Sequence, residues 1–131
     1  MGNRIIPKIG EYDKIQVVSF VAMKIKSNDE WAKRACIAIY DQQTLREKKT
    51  HVSKGRNDWG FSRNDAPLLT HMGAKLKQKR LIQEDVEVLR LKMHKYARQL
   101  ICLAYEKDKG KGLKKHLDLY YRDQKQSVDV F

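Results

Sequence analysis

An indole flanked by two guanidinium groups is the arrangement in this sequence best suited to holding a nucleic acid: Trp59 lies between Arg56 and Arg63. A base stacks on such a ring while the cations meet phosphates. The surrounding stretch, Gly55 to Leu69 (GRNDWGFSRNDAPLL), crowds together glycine, aromatic and helix-capping residues as no other part of the chain does. Two further basic sets follow. Lys75, Lys77, Lys79 and Arg80 form a dense cluster, and Arg90, His94 and Arg98 recur at every fourth position, which on a helix makes one ridge. That ridge is either a solvated face or a track for phosphates. Trp59 and Phe61 have a competing reading as well, as plugs that anchor a long polar loop in the core.

Reaction chemistry is harder to find. The histidines are His51, His71, His94 and His116. They form no HExxH helix, no nucleophile elbow and no glycine-rich phosphate loop. A metal site assembled from His51, Asp58 and His71 is the one enzyme-like grouping, and no motif supports it. Cys36 and Cys102 fall among apolar residues at helical spacing and read as small buried hydrophobes in a reducing compartment. The expectation is therefore no enzyme, no cofactor and no metal.

Charge points to the partner class. Against 28 Lys and Arg stand 16 Asp and Glu, a net charge of +12. A field of that sign attracts polyanions through phosphate neutralisation and counterion release. DNA or RNA is the expected partner, with an anionic membrane surface or an acidic protein as competitors. The longest apolar run, Val17 to Met23, is far shorter than the ~20 residues a membrane span needs. A location in the cytoplasm, away from the membrane, is expected.

These residues need elements to position them. A chain of 131 residues is read as one helical domain, with an arm at 1–12 and a flexible tail at 124–131. The class expected is all-α, with four to five helices and one long loop at about 49–63. The alternative is α+β, with a strand at 15–25, because Asp13 to Lys26 is rich in β-branched residues. Read as a helix, that segment buries Ile15, Val18, Ala22 and Ile25. No second strand stands ready to pair with it, which favours the helix. Ser27 and Glu30 read as a capping box opening a helix to about Lys48, with Trp31, Ala35, Ile39 and Ala32, Cys36, Tyr40 inward. Ser62 with Asp65, or Asn64, caps the next helix, and Pro67 fits only its first turn. That helix runs to about Lys79 on Leu68, Leu69, Met72 and Leu76, and Gly73 marks close approach of a neighbour. The longest helix spans Gln83 to about Lys107 on Val86, Leu89, Met93, Tyr96, Ala97, Leu100 and Leu103. Glu106 to Lys115 reads as a flexible basic hinge, and His116 to Asp123 as a short last helix.

One pattern extends over residues 28–104. It consists of Trp31-Ala32, Arg34-Ala35, Tyr40, Gln43-Thr44, Gly60-Phe61, Asp65-Ala66 and Lys95-Tyr96-Ala97-Arg98-Gln99-Leu100. In these residues the chain resembles a loose group of small phage, prophage and plasmid proteins. The resemblance implies a mobile-element origin and a mostly helical fold, and carries over no active site. The approach to Gly60-Phe61 (Arg56-Asn57-Asp58-Trp59) and the start of the last matched helix (Leu81 to Asp85) depart from the group.

The function expected is that of a small basic nucleic-acid-binding accessory protein of a phage or other mobile element. Its contacts would be Arg56, Trp59, Arg63, Lys75, Lys77, Lys79, Arg80, Arg90, His94 and Arg98. The alternative is a phage-type inhibitor or recruiter that binds a host or phage nucleic-acid enzyme, with Trp59 and Phe61 as its anchors.

Overall fold

The computed structural model describes residues 5–50 and 60–128, and the side chains of 5–44 and 60–122. Within them the protein is all-α. Helix α1 spans Lys14–Ser27, α2 Asp29–Thr50, α3 Ala66–Lys77, α4 Gln83–Met93, α5 Ala97–Asp108 and α6 Lys111–Val128. Helices α4 and α5 run on from one another through a 3-10 turn, His94–Tyr96, so the six segments make five rods. Among the described residues the only β-type pairing is a single bridge, Ile9 to Tyr12. The stretch 15–25 lies within α1, which removes the α+β alternative.

Helix α1 forms despite its β-branched residues because its first turn is held by a reciprocal cap. Asp13 Oδ1 accepts from the Gln16 amide at 2.9 Å, and Gln16 Oε1 accepts from the Asp13 amide at 3.1 Å. Its inward face is Val17, Phe20, Val21 and Ile25; of the line that spacing predicts, Ile25 is buried, Val18 and Ala22 are partly buried against the core, and Ile15 is 78% exposed. Both faces satisfy the helical period. Phe20 tips the choice, because its ring meets Trp31 edge-on and Tyr120.

The cap of α2 is Asn28, not Ser27. Asn28 Oδ1 accepts from the amides of Glu30 (2.9 Å) and Trp31 (3.2 Å). Ser27 ends α1 instead and donates to the Met23 carbonyl at 2.8 Å. Helix α2 is the central rod and packs against α1, α3, α4 and α5. Ala32, Ala35, Cys36 and Ile39 are buried along it, and the small residues among them let its neighbours come close. A Cβ placed on Gly73 of α3 would stand 2.6 Å from the Tyr40 ring, so glycine there sets the spacing of α2 and α3.

Helix α3 begins at Ala66 with Pro67 in its first turn, and its buried residues are Leu69, Met72 and Gly73, leaving Leu68 exposed. It ends after Lys77 in a left-handed residue, Lys79 (φ 58°), while the Arg80 amide returns to the Lys75 carbonyl at 2.9 Å. The long helix expected over 83–107 is interrupted at His94–Tyr96. Beyond that turn its single apolar stripe fails, because α5 is enclosed on several sides. Gln99, Ile101 and Cys102 are buried, and Leu100 and Leu103 are only partly so.

The expected hinge at 106–115 is instead the end of α5, a tight turn at Lys109–Gly110, and the first turn of α6. Asp108 builds the turn by accepting from the amides of Gly110 (3.0 Å) and Gly112 (3.1 Å). Helix α6 continues to Val128, well past the Asp123 end read from the sequence and through most of the expected tail. It docks through Leu113 and Leu117. The arm at 5–12 is tied down: Ile6 and Ile9 are buried, Ile5 is not, and the Tyr12 hydroxyl donates to Asp118 of α6 at 2.5 Å.

Candidate functional site

Three polar side chains from three elements hold the return of the chain into α3. Gln99 of α5 accepts from the Gly60 amide at 2.8 Å and donates to the Gly60 carbonyl at 3.0 Å. Gln43 of α2 accepts from the Phe61 amide at 3.0 Å and donates to Thr70 Oγ1 at 3.1 Å. Tyr96 Oη accepts from the Ser62 amide at 2.9 Å. Gly60 adopts a positive φ of 97° here, and a Cβ on it would meet Gln43 Oε1 at 3.0 Å. The Phe61 ring is 8% exposed and lies edge-on to Tyr96, so it is the core plug of the two readings. An anchor for a protein partner must be exposed, and Phe61 is not.

Half of the expected Ser62–Asp65 cap forms, since the Asp65 amide donates to Ser62 Oγ at 3.4 Å, but the Asp65 side chain takes another role. Asp65 stands at the N-cap of α3 with a helical backbone and makes no side-chain cap bond. Its carboxylate is 5% exposed and accepts from the Tyr96 hydroxyl at 2.7 Å. Lys95 Nζ stands 2.5 Å from Oδ2, and Lys92 Nζ 4.0 Å from Oδ1. Burial by itself pushes this carboxyl upward, but the Lys95 and Tyr96 hydrogen bonds outweigh it and hold the group below its ordinary value. Burial, and then the Asp65 charge against the Ser62 hydrogen bonds, push the Tyr96 phenol up to about 12. The arrangement is a closed polar staple. Asp65 and Tyr96 are 31 residues apart, so no local sequence signal reveals it.

The nominated phosphate contacts divide into several groups. Arg56 and Trp59 lie outside the described residues. Arg63 is exposed beside the pinned return. Lys75 pairs with Asp85 (3.6 Å), Lys77 with Asp41 (2.8 Å), and Arg90 with Asp29 (3.2 Å) and the Lys26 carbonyl (3.2 Å). These three stitch helices together. Lys79, Arg80 and Arg98 are exposed with no acidic partner among the described residues. The ridge Arg90, His94, Arg98 is not straight, because a 3-10 turn advances more per residue than an α-helix and swings Arg98 roughly 60° further from Arg90. Burial, and then the nearby Lys26 charge, push His94 below its ordinary 6.5, which leaves it a weak cation at neutral pH.

A denser set of uncommitted cations stands at the turn read as a hinge. Lys107, Lys109, Lys111 and Lys115 are exposed, and none pairs with an acid among the described residues. The nearest acid in sequence, Asp108, is engaged by backbone amides. Lys111, Lys115 and Arg122 share one side of α6, while Asp118 beside them is taken by Tyr12 and Lys114. The signal is present in the run KDKGKGLKK, but its two glycines disguise a helix start as a break.

Among the described residues no group of three or more His, Cys, Asp or Glu is placed to hold a metal ion. Of the triad His51, Asp58 and His71, the first two lie outside the described residues and His71 is exposed. Burial pushes the Cys36 thiol up to about 12, far from a nucleophile's range at neutral pH. No described helix is long and apolar enough to cross a membrane. No protein-family model, curated protein or solved structure matches the chain. Gln43, Gly60, Phe61, Asp65, Tyr96 and Gln99, spread over more than 50 positions of the chain, meet in space as a clamp on Gly60 and Phe61 and the Asp65–Tyr96 staple.

Proposed function

We propose that this protein is a small basic nucleic-acid-binding accessory protein of a phage or other mobile element, gripping phosphates without a built catalytic centre. The observation that carries the reading is the set of exposed cations at the α5–α6 turn and along α6, Lys107, Lys109, Lys111, Lys115 and Arg122, none of them in an ion pair among the described residues, on a chain of net charge +12. Lys79 and Arg80, exposed just past α3, Arg98, exposed on α5, and Arg63, exposed beside the pinned return, add to the field. Contacts of this kind are sequence-tolerant and salt-sensitive. The mobile-element origin rests on the resemblance alone.

Anisotropy titrations of labelled single-stranded and duplex oligonucleotides test the reading. Affinity is expected to fall about 100-fold or more between roughly 50 and 300 mM salt. Combining Lys109→Gln, Lys111→Gln and Lys115→Gln is expected to flatten the salt slope by about one unit for each phosphate no longer neutralised. An affinity indifferent to salt, or a slope unmoved by the triple variant, refutes this interface. A partner protein that survives nuclease treatment of a pull-down would favour the inhibitor or recruiter reading, whose remaining anchor is Trp59.

A further inference from the structure

A cavity lies between α1, α2, α5 and α6, lined by none of the clamp, staple or lysine side chains. It has a volume of about 280 Å³. Its floor is aliphatic, from the buried Val21, Ile25, Ala35, Ile101 and Leu113. The mouth is different. Trp31, half-buried, meets the exposed His116 edge-on at 5.3 Å, and Arg34, also exposed, lines the mouth with them. Arg34 has no hydrogen-bond or acidic partner among the described residues, and no acidic side chain among them lines the cavity. Lys24 Nζ stands 5.4 Å from the Trp31 ring centre and adds a further cation.

We infer that this cavity is a binding site for a small amphipathic organic anion, with its apolar body against the aliphatic floor and its anionic head on Arg34. The volume sits at the lower end of the small-ligand range and fits a chain of about ten carbons. An apolar floor with few convergent polar groups is the usual build of such a site. Here the one permanently charged lining group, Arg34, is a cation, and that selects the ligand's charge. Guanidinium is the side chain that matches a planar carboxylate through paired N–H donors. Helical spacing alone places Trp31 in the core, and its position at the rim is what distinguishes a ligand pocket from a packing defect. This inference is independent of nucleic-acid binding.

Titration with decanoate, followed through Trp31 emission, tests it. The chain has two tryptophans, so a Trp59→Phe background leaves Trp31 as the sole indole. A saturable change is expected with decanoate, weaker by roughly fivefold or more with 1-decanol, which keeps the chain but lacks the charge. Arg34→Gln, at the cavity mouth, should bring decanoate down to the level of decanol. Ala104→Phe, which fills the cavity from α5, should abolish the response to both; circular dichroism and a melting curve confirm that the variant is folded. No saturable response, equal affinity for decanoate and decanol, or a response that survives Ala104→Phe overturns the inference; the last would mean adsorption to the basic surface. A mononucleotide or an acidic apolar peptide that changes Trp31 emission where decanoate does not would assign the cavity to those ligands and overturn it equally.

Discussion

The Gln99 carboxamide holds both backbone groups of Gly60, accepting from its N–H at 2.8 Å and donating to its carbonyl at 3.0 Å. Gln99 is 6% exposed and Gly60 is buried, so neither partner turns to water if the other is lost. Gln99→Ala strands both backbone groups and leaves a void, and should cost about 2–4 kcal/mol. Gln99→Glu keeps the shape but replaces the donor with a charge, and should cost at least as much at neutral pH. Urea denaturation measures both. A loss under about 0.5 kcal/mol would show that the clamp contributes little.

The Tyr40–Gly73 contact makes an opposite test of helix propensity. Alanine favours a helix over glycine by about 1 kcal/mol. The added methyl of Gly73→Ala, however, meets Tyr40 ring carbons at 2.6 and 2.7 Å and its Cβ at 2.9 Å. Gly73→Ala should therefore destabilise by about 1–3 kcal/mol in melting or denaturant curves. The same change in a Tyr40→Ala background should be neutral or stabilising, and that reversal of sign is the diagnostic.

Lys109 caps α5 in the left-handed region at φ 60°, where glycine is at ease and lysine is not. Lys109→Gly should raise stability by about 0.5–1 kcal/mol. It should also weaken oligonucleotide binding, because it removes an exposed cation from the proposed interface. Stability and affinity moving in opposite directions in one variant would mark a lysine retained for binding; affinity unchanged beside a gain in stability would remove Lys109 from the interface.

The Asp65–Tyr96 bond should limit stability at both ends of the pH scale. Asp65 is held below its ordinary 3.8, so its contribution is present above that value and lost as pH falls through the lower, folded value. Tyr96 is raised from 10.0 to about 12, so its contribution is present below pH 10 and lost as pH rises towards 12. Tyr12 is also raised to about 12, first by its hydrogen bond to Asp118, and adds to the alkaline loss. Melting temperature should be flat between about pH 5 and 9 and fall on both sides. Tyr96→Phe should lower the plateau and shrink the alkaline fall, and Asp65→Asn should shrink the acid one.

Helix positions are legible in the sequence because capping residues and apolar spacing are local signals. Pro67 marks a first turn and Gly73 a close approach, and both features occur. What is not legible comes from contacts between distant residues. The inward face of α1 is decided by Phe20 meeting Trp31 and Tyr120. The role of Asp65 is decided by Lys95 and Tyr96, and the fate of Lys75, Lys77 and Arg90 by acids on other helices. Counting basic residues finds the sign of the field; only pairing tells which cations remain available.

The tie between Tyr12 and Asp118 joins residues 106 positions apart, and Cys102 Sγ lies 3.7 Å from the Ile5 carbonyl. On a ribosome, the early arm and the Phe20 face of α1 emerge long before the α6 residues that cover them. The nascent chain must carry that apolar surface uncovered until α6 has been made. Closure therefore waits for α6, and a chain halted before Lys111 should be a client for chaperones rather than a smaller folded protein.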